Sequence, residues 1–306
     1  LDRAGEVVWW ASPGPDVLST ASRVRLDGRS VLVGTQLPEL GGDEGSILDV
    51  ALDGSTWRTI PTPGFHHAFA EVGDGSLVYV AADIRDYQGA PVMGDAIERV
   101  LPDDSVSELF NAWDYYVPTP LCSHYAPVDY AGGAIDWTHG NSVVWDPERD
   151  QLLFMARNWD AIVEVDLSGG VPGLQLGGAG SDFAFPDAEY APFDHAHFSH
   201  ITEGGFAVLD NGAHRDPTAS RAAEYTVNRE AGTLELSWEY WDPEGRYVSA
   251  LGDVQKLPGG THLVSWGAAG LVTEIDGQDV VWQIETEITG ATGWIEYVPT
   301  LPGDPT

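Results

Sequence analysis

The stretch DHAHFSH, residues 194–200, puts His195, His197 and His200 within six positions of a 306-residue chain that has only nine histidines. Imidazole changes charge near neutral pH, so such a segment can attack as a nucleophile, carry protons or bind a metal ion. Crowded imidazoles also suppress one another's protonation. Taken alone, these residues fit a metal site, a catalytic centre or a wet surface loop.

An internal repeat separates the three. A unit of roughly 50 residues recurs loosely, as inner strand, Gly or Asp turn, and three further short strands. It is visible in HHAFAEVGDGSLVYVA from His66, THGNSVVWDPERDQLLFMA from Thr138 and HAHFSHITEGGFAVLD from His195. LGDVQKLPGGTHLVSW from Leu251 and SRVRLDGRSVLVG from Ser22 fit the same frame. His67 precedes Gly75 by eight residues, His139 stands a similar distance before the turn PERD (147–150), and His197 is seven or eight before Gly204-Gly205. In the next unit the position falls near Gly252, so histidine is not a constant of the repeat. Strand neighbours point to opposite faces. Only one of His66 and His67 can therefore face inward, and the register selects His67. Asn141 shares the face of His139, and His195 shares that of His197 if the strand has begun by then. Arg157 follows the strand QLLFMA in the His139 unit.

The other polar residues read as structural. A lone histidine at a strand is usually a hydrogen-bonded packing residue, and His66, His124, His200, His214 and His262 are read so. Asp210-Asn211-Gly212 reads as a turn. Ser220, Arg221 and Glu224 read as ties between strands.

The elements that position these residues are strands. Long amphipathic helical patterns are scarce, while short alternating runs between Gly, Asp and Pro are common. With 36 Gly, 20 Pro and 12 Trp, the chain reads as all-β. Repeats of this length and strand content suggest a propeller. The expected architecture is a single domain over residues 1–306, a six-bladed β-propeller of four-stranded antiparallel blades. The blades fall at about 20–63, 64–118, 134–178, 192–242 and 248–288, with a sixth from 289–306 and 1–15 closed by both termini. Seven blades would follow if a removed segment supplied more. In such a fold the innermost strands line one channel, so His67, His139 and His197 should meet at one of its mouths.

Net charge is −34, from 48 acidic against 14 basic residues, of which Lys256 is the one lysine. Such a surface repels phosphate backbones and anionic membranes, which argues against nucleic-acid partners. Cys122 is the lone cysteine, so no internal disulfide forms. No apolar run approaches the roughly 20 residues of a membrane span. The chain opens at LDRAGEVVWW without Met, which suggests a leader, tether or first strand lost ahead of it and hence a secreted, periplasmic or cell-surface location.

Neutral imidazoles, an amide and a guanidinium around an enclosed pocket suit a tetrahedral oxyanion, because arginine offers a planar fork to sulfate or phosphate oxygens. A zinc-class ion on the three histidines is the competing chemistry. No acidic residue stands at an aligned inner position, and Arg157 would repel a cation. A serine hydrolase lacks its G-x-S-x-G elbow. A catalytically silent, surface-displayed binding propeller is the rival outside enzymology.

The segments 136–166 (DWTHGNSVVWDPERDQLLFMARNWDAIVEVD), 195–212 (HAHFSHITEGGFAVLDNG), 220–225 (SRAAEY), 255–267 and 66–80 resemble the bacterial arylsulfotransferases that do not use the nucleotide sulfate donor. The most specific elements are T-H-G-N with an arginine eighteen residues after its histidine, and D-N-G followed by S-R. The resemblance covers most of the chain, from about residue 45 to 298. It implies a six-bladed propeller, a sulfo-histidine intermediate and a periplasmic or secreted location. It places the nucleophile on His197, preceded by Ala196 where relatives often have Gln. The other functional positions fall on His67, His139, Asn141 and Arg157, and His195 has no clear counterpart. The expected reaction carries a sulfuryl group from an aryl sulfate to a phenol with no metal or nucleotide cofactor. His195, Trp159, Tyr116 and Trp137 are candidate substrate contacts. The aromatic stretch from Trp113 through Tyr115, Tyr125 and Tyr130 to Trp137 is a candidate wall for the phenol pocket.

Overall fold

The computed structural model describes residues 1–14, 17–36, 45–118, 129–130, 133–186, 192–286 and 292–299. Cys122, His124 and Tyr125 lie outside them, as does the side chain of Tyr130.

Alternation of apolar and polar residues, broken by Gly and Asp turns, produces five antiparallel sheets in chain order. Blade one is β1 (Leu18–Val24), β2 (Ser30–Gln36), β3 (Ser46–Ala51) and β4 (Trp57–Ile60). Blade two is β5 (Phe65–Glu71), β6 (Leu77–Tyr87), β7 (Ala90–Val100) and β8 (Val106–Asn111). It is followed by the short helix α1 (Ala112–Tyr115) and by β9 (Asp129–Tyr130) and β10 (Ala134–Asp136), where β10 adds to β7 in parallel. Blade three is β11 (Gly140–Asp146), β12 (Gln151–Ala156), β13 (Ala161–Asp166) and β14 (Gln175–Gly177). Blade four is β15 (His197–Thr202), β16 (Gly205–Asp210), β17 (Arg221–Asn228) and β18 (Thr233–Trp241). Blade five is β19 (Asp253–Lys256), β20 (His262–Ser265), β21 (Leu271–Asp276) and β22 (Asp279–Glu285).

The propeller therefore has five blades, not the six expected from the repeat. The two terminal segments do lie between blades five and one, but the described parts of both carry no strand. They act as a wedge. In the C-terminal tail, Ile295 N donates to Asp253 Oδ2 (3.0 Å) and Tyr297 N to Gln255 Oε1 (2.7 Å). The spacing of two residues on each side is that of a strand pair, yet the acceptors are side chains of β19 and not its backbone. On the opposite flank Val24 N, in β1, donates to Glu296 Oε2 (3.1 Å), and the Arg23 guanidinium lies 3.8 Å above the Trp294 ring. The N-terminal segment spans the same gap further out: Trp282 Nε1 donates to Arg3 O (2.7 Å) and Trp9 Nε1 to Leu52 O (2.9 Å).

The cores agree with this closure. Buried apolar clusters fill the interfaces of blades one and two (Leu32, Phe65, Tyr79), two and three (Val80, Phe110, Phe154), three and four (Met155, Phe193, Phe206), and four and five (Leu209, Val254, Trp266). Blade one completes its outer face with Trp9 and Ala11 of the N-terminal segment. Trp294 packs against the first three of those clusters at once, which puts the tail deep among the blades. Each fully buried large apolar side chain contributes roughly 1.5–3 kcal/mol.

The entry into the inner strands is specialised. His67, His139, His195 and Leu251 have φ of +56°, +48°, +49° and +63°. These left-handed residues recur once per blade in blades two to five: His139, His195 and Leu251 kink the chain just before the inner strand, and His67 sits at the irregularity within β5. Non-glycine residues rarely hold that conformation without support from the fold. By backbone conformation His195 is the equivalent of His67 and His139, and His197, two residues on, is the equivalent of Asn141. The sequence register that aligned His197 with His67 and His139 is thus displaced by two. Bulges at the starts of β5, β11 and β15 break strict alternation, which is why counting from the turns misplaced it.

Candidate functional site

At the mouth formed by these kinks, the rings of His67 and His139 have centroids 4.9 Å apart, and those of His139 and His197 6.4 Å apart. His197, Asn141 and Arg157 are buried, while His67 and His139 are half-buried and face the opening. The structure brings together five of the side chains singled out in the sequence. Arg157 arrives from β12: the 3-10 turn Arg157–Trp159 bends the chain over the mouth, with Arg157 N donating to His139 O (3.2 Å) and Asn158 N to Thr138 O (3.1 Å). Asn141 Nδ2 donates to Ala196 O (2.8 Å), which ties blade three to the segment carrying His197. Asn141 Oδ1 is buried and has no hydrogen-bond partner among the described residues.

Each histidine of the trio is held at Nδ1 by an oriented neighbour. His197 Nδ1 lies 2.7 Å from Asn211 Oδ1. Asn211 spends its amide N–H groups on Val248 O (2.8 Å) and Leu251 O (3.1 Å), so its oxygen must accept, and His197 Nδ1 must carry the proton. His139 Nδ1 lies 2.5 Å from Asp136 Oδ2, and an ionised carboxylate can only accept. Behind His67, the buried Asp95 carboxylate accepts from Thr138 Oγ1 and Gly140 N and sits 2.8 Å from His66 Nε2. Burial works to raise the Asp95 pKa, but His66 and these hydrogen bonds overcome it and hold the group below its ordinary value. His66 Nε2 is therefore a donor, and its Nδ1 lies 2.7 Å from His67 Nδ1, one ring donating to the other. In neutral His197, and in the neutral form of His139, the lone pair then resides on Nε2. Gly140 is required here, because a Cβ would stand 2.8 Å from Asp95 Oδ2 and 2.6 Å from the Phe154 ring.

Electrostatics keep His67, His197 and His195 unprotonated. Burial first, then His139, His66, His197 and Arg157, holds His67 well below its ordinary pKa. His197 is pushed in the same direction by burial and then by Arg157, against a weaker opposing pull from Asn211. His195 is lowered to about 2 by burial, then by Arg157 and His214.

His195 turns toward a group the sequence did not single out as a site. Its ring centroid is 4.5 Å from that of His214, and its backbone N donates to Asp160 Oδ1 (2.7 Å). Trp159 packs on Tyr116 (4.7 Å) and Trp137 (5.2 Å), and Trp137 on Trp113 (5.0 Å), so an aromatic cluster adjoins Arg157. Trp137 is 3% exposed and belongs to the packing, whereas Trp159 and Tyr116 keep open edges. His200 turns toward β19 and the tail, with Nε2 3.0 Å from Asp253 Oδ2 and its ring 4.5 Å from that of Trp294.

Residues read as structural divide in two. Glu224 accepts from Lys256 Nζ (2.8 Å) and meets His262 Nε2 (2.8 Å), and Arg221 joins Asp210 (2.9 Å) to Glu239 (2.7 Å). These groups link strands. His66 and Asn211, in contrast, orient the site, together with Asp95 and Asp136, which the sequence did not single out. Asn211 was partly visible in the D-N-G element but read as a turn, and the partnership of Asp95 with His66 crosses 29 residues, which no local pattern reveals.

The mouth thus gathers three imidazoles and the buried Arg157 guanidinium. The chain belongs to the arylsulfotransferase family: the family model described as Arylsulfotransferase (ASST) matches residues 1–172 and 189–297. No curated protein sequence matches the chain. Among solved structures, the fold is similar to a protein of unknown function from Bacteroides caccae, at 13% identity and TM-score 0.56 over 94% of this chain and 88% of that one. It is also similar to a streptogramin B lyase (14%, TM-score 0.53, 94% and 76%) and to the periplasmic gluconolactonase of Pseudomonas aeruginosa (14%, TM-score 0.51, 92% and 88%). At such identities the likeness is one of fold. Among the described residues, no helix is long and apolar enough to cross a membrane.

Proposed function

We propose that this protein transfers a sulfuryl group from an aryl sulfate to a phenol in two steps through His197. The observation that carries the reading is the pinned Asn211 oxygen, which holds the proton of His197 at Nδ1 and so leaves the lone pair on Nε2 of a ring close to Arg157.

In the first step Nε2 of neutral His197 attacks sulfur, and the bond from sulfur to the aryl oxygen breaks. An amide oxygen cannot take the Nδ1 proton, so the sulfated ring remains an imidazolium, a good leaving group for the next step. His139, entering the cycle protonated and backed by the Asp136 carboxylate, gives its Nε2 proton to the departing phenolate. In the second step the acceptor phenol returns a proton to His139 Nε2 and attacks sulfur. The N–S bond breaks, its electron pair returns to His197, and the aryl sulfate product leaves. Net, one aryl sulfate and one phenol become another phenol and aryl sulfate, and each histidine regains its starting state.

Arg157 bears on the sulfuryl oxygens with charge-assisted hydrogen bonds. His67, held unprotonated by burial and by His139, serves as a second proton acceptor. The Asn141 oxygen suits an acceptor hydroxyl. Trp159 and Tyr116 offer ring faces to the phenols. The enzyme acts outside the cytoplasm, as the acidic surface and the typical location of the family suggest. Incubation with 4-nitrophenyl sulfate and a phenol should release nitrophenol, and His197→Asn should abolish the release. A protein inert across varied phenol acceptors would refute the activity.

A further inference from the structure

Next to the sulfuryl pocket, one group of side chains has no part in the transfer. Asp160 follows the 3-10 turn of blade three, His195 is the kinked residue before β15, and His214 lies in the loop after β16. Each offers a ligand atom, and these atoms lie within 4.8 Å of one another. The set is two imidazoles and a carboxylate, the donor chemistry of zinc and related divalent transition ions.

The geometry points to a mononuclear transition-metal site on Asp160, His195 and His214, of the zinc class and open on its solvent side. Four details support it. First, His214 Nδ1 and Asp160 Oδ2 are 3.5 Å apart, long for a direct hydrogen bond. Donors about 2.0–2.2 Å from a tetrahedral ion stand roughly 3.3–3.6 Å apart, so the pair already has the spacing of two ligands. Second, the other Asp160 oxygen is occupied by His195 N (2.7 Å), which aims Oδ2 at the ion position. Third, His214 N donates to Asp194 Oδ1 (3.1 Å), so the loop carrying the exposed ligand is tied down and a further carboxylate stands near. Fourth, His195 is fully buried while the His214 side chain is 34% exposed, which gives both a low-dielectric anchor and access from solvent.

Arg157 opposes a cation here. The Asp160 and Asp194 carboxylates offset it, and a chain of net charge −34 draws cations to its surface. Imidazole ligands select against calcium and magnesium, which prefer oxygen. Bound, the ion would join blade three, through Asp160, to blade four, through His195 and His214. The transfer through His197 does not depend on it.

The test uses cobalt(II) as a coloured zinc surrogate. The intact protein, stripped by chelation, is titrated with Co2+ in excess Mg2+, which occupies the surface carboxylates. A saturable visible absorption band is expected, displaced by Zn2+. His214→Ala and Asp160→Asn should each weaken Co2+ binding at least as much as the roughly 10- to 100-fold that loss of an outer-shell partner costs. His67→Ala should leave it unchanged. Zn2+ should raise the melting temperature of the wild type and not of either ligand variant. The assignment fails if no band forms, if the band survives both ligand variants, or if His67→Ala abolishes it, which would move the ion to the histidine trio.

Discussion

His197 Nδ1 and Asn211 Oδ1 stand 2.7 Å apart, and the Asn211 amide is locked by two backbone carbonyls of the segment leading into blade five. Which nitrogen of His197 keeps its lone pair is therefore set by residues 37 and 40 positions beyond Asn211. Replacing Asn211 with Ala frees the ring to take the other tautomer and to rotate. The turnover rate should fall about 10²-fold or more, in the range ascribed to a positioned proton-transfer group, with KM for the donor much less affected. Leaving Leu251 O without its donor, and Val248 O with Ser220 Oγ alone (3.3 Å), should also cost about 1–3 kcal/mol in a denaturant titration.

Arg157 separates charge from shape. Arg157→Ala should lower kcat/KM for aryl sulfate by roughly 10²–10³, the loss typical of a removed oxyanion donor. Arg157→Lys keeps the charge but not the fork, so it should restore only part of that loss. Full recovery with Lys would show that a point charge suffices.

Asp136 acts through His139. Asp136→Asn keeps the size of the side chain but lets it donate as well as accept, which permits the wrong His139 tautomer. A fall of roughly 10²–10⁴ in kcat is expected for a phenol leaving group that needs its proton. Donors with acidic phenols such as 4-nitrophenol should suffer less in the first step, because their phenolates leave unaided. An equal loss across leaving groups would argue against His139 as the proton carrier.

His67 links the site to stability. Its folded pKa lies well below the ordinary 6.5, so between the two values the unfolded chain binds a proton that the folded chain does not. Stability therefore rises with pH through that window and falls as pH drops below about 6.5, by on the order of 1 kcal/mol per pH unit for one such group. His67→Asn, which tolerates the positive φ, should flatten the slope of unfolding free energy between about pH 6.5 and 5.

The tail should behave as part of the core. Trp294→Ala removes a ring that packs against three inter-blade clusters and under Arg23, and should cost about 3 kcal/mol or more. A change within ±0.5 kcal/mol, as for an exposed surface position, would show that the wedge is not needed for closure.

Much of this molecule was legible in its repeat. The period of roughly 50 residues and its Gly and Asp turns identified four-stranded blades, and the same repeat drew His67, His139, Asn141, Arg157 and His197 to one mouth. The blade count failed at the ends, because TGWIEYVP reads as a strand but takes its hydrogen bonds from the Asp253 and Gln255 side chains. The register failed at His195, because a left-handed residue and a bulge shift alternation in a way that spacing does not disclose. The oriented partners Asp95, Asp136 and Asn211 look like ordinary strand and turn residues, and the bonds of Asp95 and Asn211 to their histidines exist only once the strands of one blade have paired.

The central claim is the covalent step on His197. The protein is mixed with 4-nitrophenyl sulfate without an acceptor, quenched, and measured by intact-protein and peptide mass spectrometry. A gain of one sulfuryl group on the peptide carrying His197, formed with a stoichiometric burst of nitrophenol, labile in acid, discharged by added phenol and absent from His197→Asn, is the expected result. Nitrophenol release with no adduct, or an adduct that persists in His197→Asn, would contradict it.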